Sequence, residues 1–465
     1  MLFNSFGYFI FLFIVWMGYC ALPGKASILW LFGASLFFYS WWNPYNLPIM
    51  LFIIAVNHYC ARWMDTAPSN RARKGVLVIS VCLSISVLAF FKYRLFLLNL
   101  FTELSGIDLT GRSALQGNHL LAGIGIPLGI SFFTFQSIGY LVDCYRRVIR
   151  PEKSFWRTCL FISYFPHLIA GPIMRGKDLF PQIAHKNPIT IENIKQSILP
   201  LAMGLFKKVV VADNLALLSD AYFASPTGGI IDAWVAILSF TFQIYADFSG
   251  YTDMAIGSAK LFGITLSPNF NRPYYKTNIT DFWRSWNMTL SFWFRDYVYI
   301  SLGGSKRGTL LFYRNLILTM LLSGLWHGAN ITYVIWGLYH GVLLMIHKYM
   351  KRHLLVFGHL PAFFRGLCVF FLVAVGFIVF RSKNLATAFH IIGQAFFSGW
   401  TYDSNTDISA VVGIPLLMAM EGLCGERLGL IRRFEPLRYV FTAALLFMVF
   451  LLNTGYSNQF IYFIF

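Results

Sequence analysis

The sequence predicts an all-α polytopic membrane protein: one integral domain over residues 1–465, with roughly 10–12 transmembrane or re-entrant helices around a central cavity. Three observations carry this reading. The chain is 57% hydrophobic, 18% aromatic and only 12% charged, with a mean hydropathy of +0.62. Apolar runs approaching the roughly 20 residues that a bilayer span requires recur along it, near 3–21, 27–43, 47–63, 75–91, 121–142, 156–172, 196–212, 232–248, 311–325, 331–350, 365–380 and 437–455. The charges gather between these runs and in one central block.

The first run follows Met1-Leu-Phe-Asn-Ser, which has no basic residue. No small-residue cleavage site follows it, so a retained span is expected. The loop Trp41-Trp42-Asn43-Pro44 is uncharged and aromatic, as suits an outer interface. Arg71, Arg73 and Lys74 follow the third run, and Arg146, Arg147, Arg150 and Lys153 follow the fifth. Placing both clusters in the cytoplasm puts the N-terminus outside and Lys25 inside, while Lys92 and Arg94 fall on the outer side. The formal net charge of +18 is explained by this bias, without nucleic-acid binding.

Residues 103–120 read as a polar loop. Residues 123–130, Gly-Ile-Gly-Ile-Pro-Leu-Gly-Ile, read as a broken or re-entrant helix. Irregular backbone at membrane depth survives only inside protein or along a cavity. The seven cysteines, at 20, 60, 82, 144, 159, 368 and 424, form no C-x-x-C pair. Buried free thiols are expected, and no bound metal. No internal repeat is visible, which weighs against a transporter. The block 240–308 holds Asp247, Asp253, Lys260, Arg272, Lys276, Asp281, Arg284, Arg295, Asp296, Lys306 and Arg307. Such a density of charge must line a cavity or an interface. From about residue 361 plain apolar runs return, and the aromatic stretch 460–465 suits an interface.

The chemistry centres on Ser323-Gly-Leu-Trp-His-Gly-Ala-Asn330. It sets His327 where the apolar stretch Leu316 to Leu325 meets Ile331 to Leu344. A histidine can stay neutral at depth and serve as a general base near pH 7. A helix drawn through 282–297 at 100° per residue brings Arg284, Asn287, Ser291 and Arg295 within about 80° of one another. Phe282, Trp286, Leu290, Trp293 and Tyr297 fall opposite. The plain reading is an interfacial helix touching lipid phosphates. An amide in the stripe suits a substrate-lined cavity better. Asp247 and Asp253 read as structural partners of nearby Lys or Arg, and His340 and His167 as packed core histidines. No HExxH, GxSxG, P-loop or dinucleotide fingerprint is present.

Together these segments resemble the membrane-bound O-acyltransferases, in particular the bacterial branch that holds alginate O-acetylase and the D-alanine transferase of teichoic acids. The resemblance runs through Ile126-Pro-Leu-Gly-Ile-Ser-Phe-Phe-Thr-Phe-Gln136 with Tyr140-Leu-Val-Asp143, Phe165-Pro-His-Leu-Ile-Ala-Gly-Pro172, and Tyr245 to Gly257. Its most specific pieces are Asp281-Phe-Trp-Arg-Ser-Trp-Asn-Met-Thr-Leu-Ser291 and Trp326-His-Gly-Ala-Asn330. The run 294–304 and the aromatic ending point to the alginate O-acetylase group. The bacterial branch usually has histidine where this chain has Asn287. Asparagine takes no proton, and other branches pair the histidine with Asn or Asp.

The resemblance implies an integral acyltransferase domain in a bacterial inner membrane. It would move an acyl group, most directly acetyl, from a cytosolic thioester to hydroxyls of an exported polysaccharide. His327 would be the catalytic base and Asn287 its catalytic companion. Arg284, Ser291 and Arg295 would bind substrate. Acetyl-CoA or another acyl thioester would be a substrate, with no bound cofactor. The partners expected are the exported polysaccharide or a periplasmic acyltransferase, and membrane lipid, with no nucleic acid. Alternatives at this stage are a D-alanyl or other transferase fed by a carrier protein, a glycan-precursor transporter and a non-catalytic scaffold.

Overall fold

The computed structural model describes residues 1–105, 125–306, 308–353, 360–401, 408–424, 434–453, 455 and 459–461. Among them every regular element is helical. In chain order these are α1 (Phe6–Ala21), α2 (Gly24–Ser40), α3 (Leu47–Thr66), α4 (Asn70–Lys92), α5 (Arg94–Ser105), α6 (Ile130–Tyr145), α7 (Phe155–Ser163), α8 (Phe165–Leu168), α9 (Gly176–Ile183) and α10 (Ile191–Leu205). A π-helical turn, Phe206–Ala212, leads into α11 (Asp213–Ala224) and α12 (Ile230–Leu261). Then come α13 (Ile279–Trp283), α14 (Met288–Trp293), a second π-helical turn at Phe294–Tyr299, α15 (Thr309–His327), α16 (Ile331–His353), α17 (Ala362–Arg381), α18 (Leu385–Phe397), α19 (Gly413–Cys424) and α20 (Glu435–Leu452).

Six of the described helices are long and apolar enough to cross a membrane: α3 with its leading turn, α4, α12, α15, α17 and α20. The protein is a multi-pass membrane protein. The other apolar runs are spent differently. Run 156–172 breaks into α7 and the four-residue α8. Run 196–212 ends in a π-helical turn. Side-chain caps start several helices: Ser5, Ser69, Ser154, Asn278 and Asn384 each accept a first-turn backbone N–H, the usual remedy for the orphan donors there.

The described chain divides into two compact units, one of residues 1–197 with 255–267, the other of 198–254 with 268–465. In the first, the broken segment at Phe165 is the anchor. The Phe165 ring meets those of Phe11, Phe262 and Tyr8 edge-on, at 5.2, 6.0 and 6.4 Å. Its N–H, freed by the helix break, donates to Ser35 Oγ at 3.2 Å. Residues 123 and 124 of the expected broken segment lie outside the described residues. From Gly125 to Gly129 the chain is non-helical, and α6 begins at Ile130. Gly129 has φ +71°, and a Cβ there would stand 2.9 Å from Leu168 O, so conformation and close approach both require glycine.

The two basic clusters share one end of this unit. Arg73 donates to Met64 O at 3.1 Å and to Tyr145 O at 2.9 Å, tying the α3–α4 turn to the end of α6. Arg62 donates to Lys153 O at 3.3 Å.

In the second unit the first π-helical turn aims two lysines at carboxylates. Lys208 sits 2.8 Å from Asp213 and 2.9 Å from Asp247. Lys207 sits 2.8 Å from Asp253 and 3.8 Å from Glu421. Asp247 and Asp253 are thus lysine partners, as the sequence suggested. Glu421, whose carboxylate accepts a hydrogen bond from the Tyr245 hydroxyl, lies in a run that looked plain. Charges at such depth persist only when paired.

Because Arg73 joins the two clusters, residues 72 and 150 are expected on one side of the membrane, the cytoplasmic side. Single cysteines introduced there are predicted to resist a membrane-impermeant thiol reagent in intact cells and to react after permeabilisation. Labelling of both from outside would invert the topology.

Candidate functional site

His327 is the last residue of α15, and Gly328, with an extended backbone, ends the helix. A Cβ on Gly328 would lie 2.2 Å from the Tyr333 ring, so only glycine lets the chain leave α15 here. Asn330 then secures the turn. Its side-chain oxygen accepts the Thr332 N–H at 3.0 Å and its amide donates to Lys383 O at 2.8 Å. α16 returns against α15 with backbones nearly touching. A Cβ on Gly324 would stand 2.2 Å from Tyr333 O, and one on Gly337 2.3 Å from Met320 O. Small residues are what permit such helix contact within a membrane. The result fixes the imidazole, 4% exposed, among Trp326, Trp336 and Phe380, whose rings stand edge-on at 4.8, 5.1 and 5.1 Å.

The second candidate, Asn287, sits where a continuous helix was expected, and here the structure corrects the sequence. The helix 282–297 does not exist as one piece. α13 ends at Trp283, Asn287 adopts φ 40°, ψ 57°, and α14 starts at Met288. The reason is a better set of backbone partners. Asn271 N–H bonds Ser285 O at 3.0 Å, and Met288 N–H bonds Asn269 O at 2.8 Å. Asn269, fully buried, also accepts from the Thr289 hydroxyl at 2.6 Å. Segment 269–271 therefore satisfies groups that a helix would have satisfied internally. Asparagine is among the non-glycine residues that best tolerate this left-handed conformation.

The break dissolves the expected polar stripe. Asn287 turns inward and is 2% exposed, and its amide nitrogen has no protein partner. Arg284 stays outside in a loose pair with Asp281 at 3.4 Å, its side chain 68% exposed. Arg295 is exposed too, paired with Asp296 at 2.7 Å and lying over the Phe292 ring. Ser291 spends its hydroxyl on Trp286 O at 3.0 Å. The four residues do not lie along one helix.

Neighbours of Asn287 nevertheless reach the aromatic cluster that holds His327. Trp283 meets Trp336 at 5.6 Å, and Trp336 meets His327. Trp286, the neighbour of Asn287, meets Phe377 at 5.6 Å, and Phe377 meets Phe380 at 6.1 Å. Two ring paths thus run from the broken helix to the imidazole. His340 belongs to the same cluster, 1% exposed and in contact with Trp283 and Trp336. His167 is buried in the first unit. A cavity of about 840 Å³ is walled by Asn214, Tyr222, Asp232, Leu416 and Leu451 among others, without His327 or Asn287. Among the cysteines whose side chains are described, Cys20, Cys60, Cys82, Cys144, Cys159 and Cys368 are free thiols, Cys144 and Cys159 buried and Cys82 and Cys368 exposed.

The site's backbone scaffold was hidden in the sequence. Asn269 gives no motif, and a left-handed Asn287 cannot be read from a pattern that is helical on both sides.

A model of the membrane-bound O-acyltransferase family matches residues 147–390, the stretch that holds both Asn287 and His327. Over 407 residues the chain is 40% identical to a probable alginate O-acetylase of Pseudomonas aeruginosa, covering 86% of this chain and 76% of that protein. It is 38% identical over 417 residues to a peptidoglycan O-acetyltransferase of Helicobacter pylori, covering 83% and 77%. A teichoic acid D-alanyltransferase of Bacillus subtilis is more distant, 28% identical over 55% of this chain and 69% of its own length.

The α15–α16 contact makes a stability prediction. Gly337→Val should lower the midpoint of thermal unfolding in detergent and weaken activity together, because overpacking costs about 1–3 kcal/mol or more where backbone is the obstacle. Gly393→Ala, in open space, should change neither. Equal unfolding midpoints for the two variants would show that the helices can separate without loss.

Proposed function

We propose that in this chain, which belongs to the membrane-bound O-acyltransferase family, His327 and Asn287 form the acyl-transfer site, and that the reaction is acetyl transfer from acetyl-CoA to hydroxyls of an exported polysaccharide. The protein is an O-acyltransferase. One observation supports the assignment to these two residues: the helix break buries the Asn287 amide, and its neighbours Trp283 and Trp286 join the ring network that cages the imidazole at the end of α15.

In the proposed reaction the hydroxyl oxygen attacks the thioester carbonyl carbon while His327 takes its proton. A carbon–oxygen bond forms, the carbon–sulfur bond breaks, and the imidazolium returns the proton to the leaving thiolate. General-base help of this kind is typically worth about 10²–10⁴-fold. Asn287 positions a reacting group by hydrogen bonding, since it cannot carry a proton. The exposed guanidinium groups of Arg284 and Arg295 suit the anionic part of a donor outside the cluster better than its acyl end. Arg284 lies near Lys348, and Lys348 near Lys351, so positive charge gathers there. Ser291 acts indirectly, holding Trp286 O.

The acceptor class follows from the relatives described as acetylating alginate and peptidoglycan. An inner-membrane location gives the donor access from the cytosol and the acceptor access from outside. A periplasmic acyltransferase is a fitting partner for the onward transfer.

His327→Ala is expected to abolish acylation while leaving folding intact. Ester content of the exported glycan, measured in a deletion strain complemented at matched membrane levels, tests this; wild-type ester content would remove His327 from the mechanism. Asn287→Ala should lower transfer severalfold or more, and Asn287→His should be tolerated, because histidine also accepts the left-handed backbone and can hydrogen-bond. Wild-type turnover in Asn287→Ala would reduce the residue to packing.

A further inference from the structure

We propose that Trp283, Trp336 and His340 form a set of hydrogen-bond donors for the carbonyl oxygen of the acyl group, next to His327. The proposal rests on the acyl-transfer reading of His327 and adds the groups that receive the negative charge.

The three rings are in mutual contact. Trp283 and Trp336 stand 5.6 Å apart, Trp283 and His340 5.1 Å, and Trp336 and His340 4.9 Å. Trp336 also touches His327 at 5.1 Å, so one indole lies against both histidines. His340 is 1% and Trp336 2% exposed. The indole nitrogens of Trp283 and Trp336 and both ring nitrogens of His340 have no protein hydrogen-bond partner among the described residues. His340 is the one buried histidine among the described residues with both nitrogens in that state.

The same groups behave differently elsewhere in the chain. Trp16, Trp30 and Trp234 donate to the backbone oxygens of Leu261, Val15 and Ala395 at 3.1, 2.9 and 2.9 Å. His58 and His347 bond Thr158 and Thr280, each at 2.8 Å. Buried polar groups are normally paired because leaving them unpaired is costly. Here several such groups collect in one ring cluster. Gly376 of α17 packs closely here: a Cβ there would stand 3.0 Å from both His340 Nε2 and the Tyr339 ring, so the absence of a side chain is what lets α17 lie against His340.

The chemistry of the set selects its ligand. An indole N–H can only donate, and a neutral imidazole brings one further N–H. Such a set favours an oxygen that gains negative charge. In acyl transfer, the carbonyl oxygen gains it when the hydroxyl oxygen bonds to the carbonyl carbon and the π electron pair moves to oxygen. The pair returns as the carbon–sulfur bond breaks. Fixed donors inside a buried cluster act on that charge more strongly than water does, and removing one typically costs about 10²–10³-fold in kcat.

The test uses the full chain in lipid nanodiscs, with acetyl-CoA as donor and alginate oligomers as acceptor. Trp283→Phe, Trp336→Phe and His340→Phe keep a ring and lose the donor, and His340→Gln keeps an N–H. The expected result is a fall in kcat of about 10²-fold for the phenylalanine variants, with KM for acetyl-CoA and the Kd of its unreactive thioether analogue unchanged, and partial recovery in His340→Gln. If one phenylalanine variant fails to fold, the others and His340→Gln carry the same reading. Unchanged kcat in the phenylalanine variants of an active enzyme overturns this proposal alone, and so does loss of analogue binding in parallel with kcat. A wild-type protein that releases no thiol from acetyl-CoA overturns it together with the His327 mechanism.

Discussion

Everything at the site depends on the near contact of two helix backbones. α15 and α16 approach so closely that Gly324 and Gly337 have no room for a single added carbon. That contact sets where α15 stops, which places His327, and it sets the direction of α16, which places Trp336 and His340. Within a bilayer, where apolar burial gives helices no reason to associate, such packing is a main source of cohesion. The imidazole is therefore held by covalent geometry and shape, with aromatic edges around it.

The second constraint is that a polar group in this environment needs a partner. The chain meets it in two ways. Lys207 and Lys208 meet carboxylates across helices. The broken helix at Asn287 hands its backbone groups to residues 269–271. In and beside the ring cluster of His327 some groups have no protein partner among the described residues, namely two indole N–H groups and the His340 nitrogens, and neither does the buried Asn287 amide. Where such groups gather beside a histidine, substrate chemistry is expected.

Much of this was legible in the sequence, and the failures are instructive. Class and most helices followed from the apolar runs, because length and hydropathy decide them. The meeting of two runs at His327 followed from a histidine and glycine between them. The lysine partners of Asp247 and Asp253 were anticipated as a type, since unpaired carboxylates do not persist at depth. What failed was the helix 282–297. Its periodicity is truly amphipathic, yet hydrogen bonds from residues distant in the chain won over the local pattern. No periodicity shows that Asn269 will capture Met288 and Thr289. With the helix broken, Arg284 and Arg295 moved to the surface and Asn287 to the interior, so a stripe on paper became two environments.

The central claim is that Asn287 and His327 serve one reaction inside the ring cluster. A structure of the full chain bound to an unreactive thioether analogue of acetyl-CoA tests it most directly. The account predicts the acyl carbon in the cluster, with room for a hydroxyl oxygen about 3–3.5 Å from it and within hydrogen-bond reach of His327, and with Asn287 in contact with the bound donor. An acyl group seated instead in the cavity bounded by Asn214 and Tyr222, or one that touches His327 while Asn287 stays packed away from it, would contradict the account.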